Sequence, residues 1–164
     1  MERDIMPKTL TIIGMGACGV AAFVEAVTRL SYDPGEGWMI HLIERDDELA
    51  RGLAFGTEQP GHLLNTESRL MGLYDREPGD FRTWLEARRA ASGCPLDPDG
   101  VEYPQRREYR VYMQEVLDRA LDQARTAGID VTSTARKLSP SRAITPRRRF
   151  GSRTDRRSRR TSSF

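Results

Sequence analysis

Lys8-Thr9-Leu10-Thr11-Ile12-Ile13, followed at once by Gly14-Met15-Gly16-Ala17-Cys18-Gly19, is the stretch that decides how this chain folds. The first six residues are rich in β-branched side chains and favour an extended strand. The glycines then force a tight turn. Beyond them Val20, Ala21, Phe23, Val24, Val27 and Leu30 recur at helical spacing. That helix must end by the segment SYDPGEG, and Trp38 to Ile43 (WMIHLI) forms a second apolar strand closed by Glu44. Strand, helix and strand together have the length of a βαβ unit, about 30 residues. The predicted class is α/β, with a parallel sheet and flanking helices.

Gly14, Gly16 and Gly19 are spaced G-x-G-x-x-G and sit between a strand and a helix, where the chemistry of the motif needs them. Gly14 permits the turn, Gly16 lets the backbone approach a pyrophosphate, and Gly19 lets helix pack closely on strand. The helix start at Ala17 and Cys18 offers unpaired N–H groups and the positive end of the helix dipole to phosphates. Glu44 lies 25 residues beyond Gly19, at the end of the second strand, where its carboxylate can accept from ribose hydroxyls. A glycine turn and a surface acid that coincide by chance would be the bland alternative. FAD and NAD share the adenosine half, so these residues do not choose between them.

From Arg45 to Gly79 the chain reads as a long irregular excursion, with glycines at 52, 56, 61, 72 and 79 and prolines at 60 and 78. Asp80 is placed to cap a short helix carrying Phe81, Trp84 and Leu85. A longer helix is predicted from Arg106, with Tyr109, Tyr112, Met113, Val116, Leu117, Ala120, Leu121 and Ala124 on one stripe and Gly128 as its stop signal. Ile129 to Thr132 (IDVT) is a third strand, and no later segment has strand or helix periodicity.

The formal charge of +2 conceals two unlike parts. Residues 136–164 carry 11 Lys and Arg against one acid, whereas residues 1–135 carry 15 against 23. We therefore divide the chain into the N-terminal part of a nucleotide-binding domain, 1–135, and an Arg/Ser-rich tail, 136–164, predicted to be disordered. With 164 residues and 38% hydrophobic content the chain has the material for one core. Two cysteines, Cys18 and Cys94, fit neither a disulfide framework nor a CxxC metal spacing, which points to a reducing cytoplasm. No stretch has the roughly 20 apolar residues of a membrane span, and MERDIMPKT lacks the basic lead of a secretory signal.

Beyond these readings, the chain resembles the FAD/NAD(P)-binding proteins that include flavin-dependent aspartate N-monooxygenases and urate hydroxylases. The marks are TIIGMGACG, then Arg51-Gly52-Leu53-Ala54-Phe55-Gly56-Thr57, His62-Leu63-Leu64-Asn65, Asp80-Phe81 with Trp84, and Tyr103-Pro104-Gln105-Arg106-Arg107-Glu108-Tyr109 with Tyr112. The resemblance covers roughly the first 130 residues. It implies an incomplete Rossmann-like domain that binds FAD through Gly14, Gly16, Ala17, Cys18, Gly19 and Glu44, with the excursion around Arg51 and Asn65 folded over the flavin. Arg51 can neutralise a phosphate or stand as a solvated charge, and Asn65 can meet the isoalloxazine edge or simply form a turn.

His62 has no second His or Cys at ligand spacing, so no metal site is expected. His41 reads as a packed histidine. Phe81, Trp84, Tyr109 and Tyr112 read as packing residues. Arg106 and Arg107 open a helix, where the dipole disfavours cations, and so invite a carboxylate or phosphate partner unless they are a solvated pair.

A complete relative would continue with further strands, an NADPH-binding segment and a return to the flavin, acting as an oxidoreductase on a small-molecule substrate; none of these can be read after Thr132. The chain is therefore expected to be truncated and catalytically incomplete, with no residue assignable as catalytic. Residues 136–164 are either a frame-shift product or a genuine basic arm. The second option carries the alternative function, a non-catalytic nucleotide-binding or nucleic-acid-binding module.

Overall fold

The computed structural model describes residues 8–32, 37–96 and 100–135. The predicted disorder of the basic tail concerns residues outside that set. Three parallel strands, β1 (Lys8–Ile13), β2 (Trp38–Glu44) and β3 (Asp130–Ala135), form the sheet, in the spatial order β1-β2-β3. Helix α1 (Ala17–Tyr32) connects β1 to β2. The excursion contains a four-residue helix, α2 (Gly52–Phe55), and a 3₁₀ turn at Ser68–Leu70; α3 (Asp80–Ala91) and the long α4 (Arg106–Thr126) then lead into β3.

Because each strand is laid down beyond the last, both crossovers step in the same direction across the sheet. Right-handed crossovers of that kind put their helices on one face, and α1 does pack against α4. The register explains which strand residues they cover. Leu10 pairs with Ile40, Ile12 with Leu42, and Ile40 with Val131; Ile40 and Leu42 are fully buried and the others pack against the same core. Residues of opposite parity, Thr9, Thr11 and Ile13 on β1 with Thr132 and Thr134 on β3, are exposed. Ile13, 79% exposed, stands on the face that no described helix covers, and β1 is an edge strand among the described residues although its composition suits a sheet centre. His41 stands on that open face, half-buried and hydrogen-bonded through Nδ1 to Thr132 Oγ1, its register partner.

The predicted helical stripes supply the core: Val20, Phe23, Val24 and Val27 from α1 meet Tyr109, Tyr112, Met113, Val116, Leu117, Ala120 and Ala124 from α4. Gly128 follows α4 at φ +70°, and the chain is reversed there by Ile129 N donating to Ala124 O at 2.9 Å. The third strand runs three residues past its predicted end, to Ala135. The aromatic residues are packing residues, as expected. The Phe81 ring lies edge-on to Tyr109 at 4.9 Å and tilted against Tyr112 at 4.9 Å, and half-buried Trp84 donates from Nε1 to Glu115. Arg89 joins α3 to the start of α4 by two hydrogen bonds to Glu108, at 3.0 and 3.2 Å.

Asp80 does not play the capping role predicted for it. Gly79 is the N-cap, and Asp80, the first helical residue, sends its carboxylate sideways. One oxygen accepts from Leu73 N at 3.2 Å and the other accepts from the Tyr112 hydroxyl, so Asp80 ties the 72–73 turn to α4. Burial raises the Asp80 carboxyl above its ordinary range, against the Tyr112 and Leu73 hydrogen bonds and the charge of Arg119. Burial also pushes the Tyr109 and Tyr112 phenols far up.

A raised carboxyl means that the folded state keeps a proton the unfolded chain has released. Its contribution to stability is full below the unfolded value, near pH 4, and is lost as pH rises through the folded value. Asp80→Asn keeps an acceptor for Leu73 N, removes the charge, and puts an amide donor where the second oxygen accepts from the Tyr112 hydroxyl. The stability of wild type relative to Asp80→Asn is therefore expected to fall as pH rises above the ordinary carboxylate value, near pH 4, as read by urea unfolding at stepped pH; a flat difference would show that the carboxylate is not penalised.

Candidate functional site

The site grows from the C-terminal edge of β1. Gly14, at φ +88°, turns the chain out of the strand while its N–H donates to Ile43 O at 2.8 Å, so the turn is anchored to the neighbouring strand. Helix α1 starts three residues later, and Val20 N, bonded to Gly16 O at 2.9 Å, is its first turn-closing donor. The amides preceding Val20 have no carbonyl one turn back to accept from them. They lie at the N-terminus of a 16-residue helix, where an anion is stabilised by the dipole.

Gly19 is held by contact. An added Cβ there would lie 2.0 Å from Gly14 O and 2.9 Å from Gly14 C, so the first turn of α1 rests directly on the glycine turn. Gly16 is different: a Cβ would meet only Gly52 Cα, at an ordinary 3.7 Å. The absence of a side chain at Gly16 therefore leaves room above the backbone that the fold itself does not need. This is the opening a pyrophosphate requires, and the turn and Glu44 together fit the adenosine diphosphate half of a dinucleotide.

Glu44 ends β2 and is bonded to the turn. Its Oε2 accepts from Met15 N at 2.6 Å, and its Oε1 accepts from Arg45 N at 2.6 Å and more weakly from Asp46 N at 3.4 Å. A carboxylate has about four acceptor positions, so the half-buried group keeps capacity for hydroxyl donors while holding the second residue of the motif. The two features that the spacing only suggested as a pair are in physical contact.

The excursion returns to this turn. Ala50, fully buried and at φ +60°, donates its N–H to Met15 O at 2.9 Å. Gly52, at φ +55°, comes so close that a Cβ on it would be 3.1 Å from Gly16 Cα. A cleft of about 500 Å³ opens beside it, lined by Asp46, Asp47, Glu48, Arg51, Leu53 and Thr57. Arg51 is turned toward its own loop, with Nη1 3.8 Å from Glu48 Oε2 and Nη2 3.4 Å from Gly56 O. Asn65 is exposed, and Cys18 is an exposed free thiol at the start of α1. Neither the proximity of Gly52 nor the left-handed Ala50 carried a sequence signal, since both depend on where the excursion lands.

The motif segments around 62–65 and 103–106 lie side by side. Leu63 bridges to Gln105 in antiparallel fashion, Leu64 N donates to Pro104 O at 2.8 Å, and Arg106 N donates to His62 O at 2.9 Å. His62 pairs through Nδ1 with Thr57 Oγ1 at 2.7 Å. The half-buried Arg106 is directed to backbone carbonyls: Nε donates to Leu63 O at 3.0 Å and Nη1 to Ala54 O at 3.3 Å. Arg107 is exposed.

A larger cleft, about 630 Å³, lies across α1 between Arg29, the 74–77 turn and Arg119. Its cations stand among Glu25, Asp75 and Glu77, and Arg29 is already paired with Glu25. Size alone does not make it the site, because it has neither a glycine turn nor a helix N-terminus.

Strand, glycine turn, helix and acid-bearing strand define a partial Rossmann-like dinucleotide-binding domain. The chain belongs to the FAD-NAD(P)-binding family, whose model matches residues 11–156. No curated protein matches the chain. No helix among the described residues is long and apolar enough to cross a membrane.

Proposed function

We propose that this chain binds FAD by its adenosine diphosphate half, as the FAD-binding portion of a flavin-dependent monooxygenase-like oxidoreductase. The observation that supports the reading is the hydrogen bond from Met15 N to Glu44 Oε2, which joins the acid at the end of β2 to the glycine turn. In this reading the amides of Gly16, Ala17, Cys18 and Gly19 face the diphosphate, Glu44 accepts from the ribose, and Arg51 and Asn65 stand toward the flavin-bearing half. The preference for FAD over NAD, and for the aspartate N-monooxygenase and urate hydroxylase subgroup, rests on the motif resemblance. Bound flavin would supply redox and oxygen-transfer chemistry; the chain's own residues bind and orient it, and no side chain is assigned as acid or base. The division at 135/136 belongs to the same proposal.

Titration of the purified chain with FAD, followed by flavin fluorescence and by competition with ADP, tests the reading. Saturable binding relieved by ADP is the expected result. Salt-sensitive retention of nucleic acid without any flavin binding would instead favour a module acting through the +10 charge of residues 136–164. Glu44→Ala is expected to weaken the adenosine half by about 1.5–3 kcal/mol, the loss of a charged hydrogen bond. AMP competition that ignores the substitution would reduce Glu44 to a brace for the turn.

A further inference from the structure

We propose that Arg106 is a positioning residue for the diphosphate of the bound dinucleotide, acting by holding α2 at a set distance from Gly16. The proposal rests on the dinucleotide reading above and adds to it a residue that does not touch the ligand.

A helix of four residues has no stability of its own. Helix α2 is fixed near its start by the Ala50 N to Met15 O bond and near its end by the Phe55 ring, 4.8 Å from that of Tyr109. Arg106 adds a polar anchor, donating from Nη1 to Ala54 O. The same guanidinium donates from Nε to Leu63 O, so one side chain fastens two separate stretches of the excursion to the first residue of α4. An arginine suits the position because its planar fork directs Nε and Nη donors along fixed, diverging lines. The two carbonyl dipoles also offset the cost of a cation at a helix N-terminus.

What is fastened matters for the site. Gly52 opens α2 and borders Gly16, with only 3.1 Å between its notional Cβ and Gly16 Cα. Movement of α2 toward the turn would close the opening above Gly16, and movement away would remove one wall. Glu44 is held separately, by Met15 and Arg45 amides, and shares no bond with Arg106. Loss of the arginine should therefore reach the diphosphate and spare the adenosine.

The test compares ADP with adenosine in the full chain by ligand-observed NMR titration, at low and high salt, for wild type, Arg106→Ala and Arg106→Lys. Arg106→Ala is expected to lower ADP affinity about tenfold, to leave adenosine affinity within about twofold, and to do so equally at both salt concentrations. Arg106→Lys, which keeps donors but not the fork, should recover part of the loss. It reads the same split should the alanine variant not fold. A loss that vanishes at high salt would make Arg106 a direct ionic ligand, and equal losses for ADP and adenosine would make it a general brace; either overturns the proposal, as does unchanged ADP affinity. Wild type that fails to bind ADP would instead overturn the dinucleotide reading itself, and this inference with it.

Discussion

Gly19→Ala is expected to cost about 3 kcal/mol of stability or more, at the upper end of overpacking penalties. The reason lies in the 2.0 Å separation between a Cβ at this position and the carbonyl oxygen of Gly14. That oxygen is backbone and cannot rotate away. Gly14 is itself tied to Ile43 O, so relief requires α1 to lift from the sheet, and with it Val20, Phe23 and Val24, which fill the core. For a domain whose whole stability is 5–15 kcal/mol, the midpoint of urea unfolding should fall steeply with no cofactor present. A midpoint within experimental error of wild type would mean that helix and turn are not in contact as described.

Gly16→Val should separate binding from folding. Its Cβ has only the ordinary 3.7 Å contact with Gly52 Cα; the two methyls beyond it must be accommodated beside α2, so the folded state is expected to survive with a loss of about 1–3 kcal/mol, the scale of overpacking. The branched side chain nonetheless fills the opening through which the backbone meets the pyrophosphate, and FAD binding should become undetectable. Flavin fluorescence titration and unfolding measured on the same sample decide the matter. Undiminished affinity would remove the glycine turn from the site, and loss of the fold would mean that the opening is narrower than the geometry allows. Gly16 and Gly19 stand three residues apart in one motif and are expected to fail in opposite ways.

Much of this was legible in the chain. The strand, glycine turn, helix and closing acid follow rules that act within a few residues: β-branched propensity, the tolerance of Gly14 for positive φ, and the 3.6-residue recurrence of Val20, Phe23, Val24 and Val27. The stripe on α4 was equally clear, from Tyr109 to Ala124. The excursion was not. Helix α2 has no periodicity to read in four residues, and Asp80, with the composition of a cap, found acceptor work for a turn seven residues back and for a tyrosine 32 residues ahead.

Local pattern was therefore enough to establish the strand, glycine turn, helix and strand of the α/β class, because each arises from interactions between near neighbours in sequence; spacing suggested Glu44 as the partner of the turn, and the fold brings it to Met15 across 29 residues. Strand order, the open face carrying Ile13 and His41, the approach of Gly52 to Gly16 and the role of Arg106 belong to the tertiary structure. Arg106 shows the reason most directly. From its place at the start of a helix it suggested either a negatively charged partner or a solvated charge, yet the carbonyls it serves lie 43 and 52 residues away in sequence. Every residue carries a backbone carbonyl, so no side-chain pattern marks which two will be brought within reach; packing of the excursion against α4 makes that choice.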